Sequence, residues 1–159
     1  MTFAIMAAAL SAIVVVVREQ RVPRANAMPS VSVRDIPGAL AALSATGKDG
    51  NFAVFLFGAD GHAPAATDAL NIQFSREAGS VGIDWVLLAP LNLESQARFV
   101  AFFERMGHTV RRREMNQVNY LRVEGGQLAE LLREFLSDEF KVTPEQKMDL
   151  ITEGFVWAG

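Results

Sequence analysis

Between Leu70 and Leu88 apolar and polar side chains alternate along the chain. Leu70, Ile72 and Phe74 fall on one face and Asn71, Gln73 and Ser75 on the other. After Glu77-Ala78-Gly79-Ser80 the alternation resumes with Val81, Ile83, Trp85 and Leu87. A period of two around a short Gly-containing connection predicts a β-hairpin. Its second strand also carries Val86 and Leu88 on the opposite face, which places it near the middle of a sheet.

The flanking pattern supplies the other elements. Ser32 or Asp35 caps a helix with Pro37 in its first turn and Ile36, Leu40 and Leu43 on one side, ending at Gly47. Phe52 to Phe57 is a short apolar run, as in a strand buried on both faces, and Gly58 to Asp68 reads as a loop. Asn92 is placed to cap a helix from Leu93 to Met106, with Phe99, Phe102, Phe103 and Met106 in one stripe. His108 to Met115 and Val118 to Glu124 form a second hairpin around Asn116-Gln117. Leu128, Leu131, Leu132, Phe135 and Leu136 then keep helical phasing, Thr143 to Gln146 reads as one helical turn, and Met148 to Trp157 as a last extended piece.

These elements predict an α+β fold of two layers: a mostly antiparallel sheet of about six strands, with helices packed mainly on one face. A ferredoxin-like β-α-β-β-α-β order from Val81 onward is the alternative. The α-β-β-β-α-β-β-α order over residues 32 to 140 resembles that of the small chaperones of bacterial type III secretion. That resemblance lies in element order alone, without a residue motif. It implies a curved antiparallel sheet and a cytoplasmic homodimer that binds partner proteins.

Residues 28–159 form the expected single domain. Ahead of them, Phe3 to Val17 is a run of apolar and small residues followed by Arg18, Arg21 and Arg24. It is shorter than the about 20 residues a spanning helix needs. Residues 1–27 read as lying outside the fold. Four readings of the run stay open: a chain that starts at Met28, a membrane anchor holding the domain in the cytoplasm, a signal peptide, or an integral helix. Contact with a membrane is expected only if the segment is an anchor.

A formal charge of −3 gives no general attraction to nucleic acid, and Arg111-Arg112-Arg113 alternates faces within a strand. The absence of cysteine excludes disulfides and thiol catalysis. His62 and His108 lack ligand spacing, although Asp60, His62 and Asp68 share one loop. Glu77, Asp84 and Glu114 are the carboxylates available for pairing. Nothing here marks a catalytic, metal or cofactor site, and the chain reads as non-enzymatic. Strand parity does collect one polar set. If Trp85 and Leu121 face the helices, then Asn71, Gln73, Asp84, Tyr120 and Arg122 share the opposite sheet face. That face is the candidate surface for a protein partner or a second copy of the chain, or for a small polar ligand should the domain be a regulatory, ligand-binding one.

Overall fold

The computed structural model describes residues 26–58 and 69–159. Its elements are β1 (Asn26–Ser32), α1 (Ile36–Thr46), β2 (Phe52–Gly58), β3 (Ala69–Glu77), β4 (Ser80–Val86), α2 (Pro90–Glu94), α3 (Gln96–Arg105), β5 (Arg111–Met115), β6 (Val118–Glu124), α4 (Leu128–Phe140) and β7 (Lys147–Glu153). The seven strands make one antiparallel sheet in the order β1-β7-β2-β3-β4-β6-β5. The fold is therefore α+β in two layers, as the pattern predicts.

Both expected hairpins are present. β3 and β4 turn through Ala78 (φ 49°) and Gly79 (φ 79°), and β5 and β6 through Asn116 (φ 49°) and Gln117 (φ 65°). Positive φ at both central residues matches the right-handed twist of the strands they join. β3, in the centre of the sheet, is buried along Ala69 to Ser75.

The ferredoxin-like alternative does not hold. It would place β4 between β6 and β7, whereas β4 lies between β3 and β6 and is antiparallel to both. β7 instead pairs with β1 and β2. Three further expectations need correction. The sheet has seven strands rather than about six, because β1 begins at Asn26, where Asn26 and Ala27 pair with Thr152 and Ile151. Those two residues thus belong to the sheet, while residues 1–25, with the apolar run, lie outside the described residues. β1 is hidden in the pattern because it is an irregular edge: its register shifts between Met28 and Val31, a stretch that contains Pro29. The expected helix from Leu93 to Met106 is two helices, α2 and α3, broken at Ser95. Finally, Thr143 to Gln146 is a turn closed by the Gln146 N–H donating to the Thr143 carbonyl at 3.1 Å, not a helical turn.

The core sits between one sheet face and the helices. Ile72, Phe74, Ile83, Trp85, Leu121 and Val123 meet Ile36, Leu43, Phe99, Phe103, Leu132 and Phe135. Trp85 stacks on Phe99 at 4.8 Å and meets the edge of Phe135 at 5.5 Å. Its indole Nε1 donates to the Asn92 carbonyl at 2.9 Å, which satisfies its one polar atom. Asn92 does not cap a helix from outside. It lies inside α2, fully buried, and its side chain pairs with the main chain of Asn71: Oδ1 accepts from the Asn71 N–H at 2.9 Å and Nδ2 donates to the Asn71 carbonyl at 2.6 Å. β4 turns away at Val86, so this amide stands in for a strand neighbour at the start of β3.

Trp85→Ala should cost about 3–5 kcal/mol, because it opens a cavity among Phe99, Phe135 and Phe140 and leaves the Asn92 carbonyl without its donor. Urea denaturation measures this, and a loss below about 1 kcal/mol would contradict the packing described.

Candidate functional site

The opposite sheet face gathers the residues that strand parity selects. Gln73 on β3 pairs with Asp84 on β4, Asp84 pairs with Arg122 on β6, and Val86 pairs with Tyr120. Residues directly opposite in an antiparallel ladder share a face, so Gln73, Asp84, Tyr120 and Arg122 are neighbours. Asn71 is on the same face one row further along, beyond Gln73. The expectation of an accessible surface needs correction, however. Arg122 and Asp84 are each 1% exposed, Asn71 and Gln73 3%, and Tyr120 4%. Polar alternation on a strand ordinarily marks a solvated face; here the polar groups are buried, and Ser75, Glu77, Asp84, Tyr120 and Arg122 bond to one another.

Arg122 is the centre of this cluster. Its Nε donates to Glu124 Oε1 at 2.8 Å, Nη1 to Asp84 Oδ1 at 2.7 Å and to Ser75 Oγ at 2.9 Å, and Nη2 to the carbonyls of Ser75 at 3.4 Å and Ser80 at 3.2 Å. A guanidinium has five N–H donors, and all five are used. Gly82 makes the arrangement possible. A Cβ at position 82 would lie 2.6 Å from Arg122 Cζ, so only glycine lets the guanidinium lie across β4.

Carboxylates outnumber cations around this guanidinium. Asp84, Glu77 and Glu124 lie 2.7, 3.6 and 2.8 Å from it. Ser75 Oγ donates to Asp84 Oδ2, and Tyr120 Oη donates to Glu77 Oε1 at 3.1 Å. Burial, with Glu77 acting the same way, pushes the Asp84 carboxyl up to about 6, against the pull of Arg122 and Ser75. Burial and the charges of Glu77 and Asp84 raise the Tyr120 phenol, so Tyr120 stays a donor. Burial alone would lower Arg122, but Asp84, Glu124 and Glu77 outweigh it and hold the guanidinium charged.

Beside the cluster a cavity of about 310 Å³ opens at the hairpin end of β3 and β4, with Gln73, Ser75, Glu77, Asp84, Val86 and Tyr120 among its walls. The Gln73 Oε1, like Asn71 Oδ1, has no hydrogen-bond partner among the described residues. A buried acceptor left unpaired is costly, and it marks the polar point of this cavity.

Of the three carboxylates considered for pairing, Glu77 and Asp84 meet at Arg122, while Glu114 is exposed on β5. His108 follows α3 and packs against Phe103 at 6.4 Å. Asp60, His62 and Asp68 lie outside the described residues. Among the described residues, no group of three His, Cys, Asp or Glu side chains is placed to hold a metal ion. Among the same residues, no helix is long and apolar enough to cross a membrane. Glu124, Ser80 and Gly82 were missing from the set chosen by parity, although a glycine inside a strand one row from an Asp–Arg cross-strand pair is itself a signal of close approach.

The raised Asp84 carboxyl gives a signed prediction. Its folded value, about 6, lies above the ordinary 3.8, so its stabilising contribution is full below the lower value and is lost as pH rises through the upper one. Asp84→Asn removes that titration. Wild-type stability relative to the variant should therefore fall by about 2 kcal/mol between about pH 4.5 and about pH 7.5. Urea denaturation of both proteins at the two pH values checks this, and a gap that grows with pH would reverse the assignment.

No protein-family model, curated protein or solved structure matches the chain, so the site is read from its own geometry.

Proposed function

We propose that this chain is a non-enzymatic, chaperone-like binding module that takes an extended segment of a partner protein, or of a second copy, along the edge of its sheet. The observation that carries this reading is β5. It is the last strand in the sheet order, among the described residues it pairs with β6 alone, and Arg111 to Glu114 are all exposed. An open edge offers main-chain donors and acceptors to an incoming strand, and side chains set the choice of partner. Arg111, Arg112 and Arg113 favour a segment with acidic residues. The helix and strand order from α1 to α4, with α2 and α3 in place of one helix, resembles that of type III secretion chaperones, which supports the same reading. The face first considered for a partner, with Asn71, Gln73, Asp84, Tyr120 and Arg122, is closed to a macromolecule by its burial. Its bonds also tie up the groups an enzyme would use: Asp84 is held through both oxygens, by Arg122 and by Ser75.

A second reading, a domain that binds a small molecule, is favoured by one specific observation, the cavity at Gln73.

Capture of partners from the native host tests the first reading, followed by titration of a captured protein against the Arg112→Glu, Arg113→Glu variant. Association should weaken about tenfold or more. The unfolding midpoint should stay within a few degrees, because both side chains are exposed. Undiminished affinity of the variant would contradict an edge-strand site.

A further inference from the structure

We propose that the cavity beside Gln73, Glu77 and Tyr120 binds a small amphiphilic molecule with a primary ammonium head and an apolar body. The proposal rests on the small-molecule reading and is independent of the edge strand.

The head group follows from a count of donors and acceptors. An anion would face the carboxylates of Asp49, Glu77 and Asp84 in the lining, and the donors of the buried cluster beside the cavity are committed. Arg122 uses all five N–H groups, Ser75 donates to Asp84, and Tyr120 donates to Glu77. Arg76 also touches the cavity, but it donates to the Ser44 carbonyl at 2.8 Å and faces Asp49 at 3.8 Å. Acceptors, by contrast, are in surplus. Gln73 Oε1 is buried without a partner, and Glu77, its side chain 30% exposed, brings a second carboxylate to the wall next to Asp84. An ammonium group brings three donors and one positive charge, so it satisfies the orphan acceptor and offsets the carboxylate excess together. The apolar body follows from Ala78, Val86 and Met115, which complete the lining. A concave, mostly apolar site with a few convergent polar groups is the ordinary form of a small-molecule pocket.

The chain contains a single tyrosine, Tyr120, and it lines the cavity. Protein labelled with ¹³C in the tyrosine ring therefore gives one reporter signal at the site. The probes are hexylamine hydrochloride, hexanol and sodium hexanoate, each titrated at neutral pH. Hexylamine should shift the Tyr120 signal saturably, with hexanol about tenfold weaker or more and hexanoate silent. Gln73→Met keeps the length of the side chain and removes the acceptor; it should raise the hexylamine dissociation constant about tenfold. Met115→Trp, on the half-buried end of the edge strand, should block the cavity and abolish the shift even if Gln73→Met proves poorly folded. Hexanol or hexanoate binding as tightly as hexylamine would overturn the ammonium head while leaving a small-molecule cavity. Silence towards all three probes, or a shift that survives Met115→Trp, would overturn the cavity as a ligand site as well.

Discussion

A guanidinium buried inside a sheet is the constraint to which the rest of this molecule conforms. Taking Arg122 out of water costs several kcal/mol, and only close carboxylates with every N–H satisfied repay it. The local sequence meets each requirement. Gly82 clears the path across β4, Asp84 stands directly opposite, Ser75 bridges the two, and the carbonyls of Ser75 and Ser80 take the remaining donors. Each partner lies on β3, β4 or β6, so the cluster pins three adjacent strands in register. A slip of one residue would leave charges unpaired in the sheet.

β4 carries this polar cluster on one face and the aromatic core on the other. Asp84 points to Arg122, while its neighbour Trp85 stacks on Phe99 and meets Phe135. Trp85 also donates to Asn92, which in turn pairs with the main-chain N–H and carbonyl of Asn71 at the start of β3. The two layers are thereby coupled through main chain as well as through side-chain packing. The cavity at Gln73 runs along the same two strands, from the hairpin turn at Ala78 to Val86. There an unpaired acceptor, Gln73 Oε1, lies beside the carboxylates of Glu77 and Asp84.

Much of this was legible in the sequence. The alternation from Leu70 to Leu88 identified the β3–β4 hairpin, and parity placed Gln73, Asp84, Tyr120 and Arg122 together and Trp85 away from them. What parity could not supply was accessibility. A strand with polar residues at every second position looks the same whether water or an internal ion pair satisfies them, and burial depends on what packs over the sheet. β1 escaped because an edge strand with a bulge and a proline has no clean period. Asn92 escapes for a related reason: asparagine is common as an N-cap residue, and its role as a surrogate strand partner to Asn71, 21 residues away, depends on β4 ending at Val86. The succession of helices and strands from α1 to β7, by contrast, follows from local periodicity and survives in the structure, with the helix after β4 broken in two and the turn of helix before β7 absent.

A double-mutant cycle on Arg122 and Asp84 tests the central claim most directly. Arg122→Met alone strands the buried Asp84 carboxylate, Asp84→Leu alone takes from the buried guanidinium its nearest carboxylate and leaves it Glu124 and Glu77, and the double variant removes both members of the pair. Urea denaturation of the four proteins at neutral pH should give a coupling of about 1–3 kcal/mol, with the double variant more stable than the sum of the single losses allows. Losses that add to within about 0.5 kcal/mol would show two independent residues, and the sheet would then owe its register to something other than the buried pair.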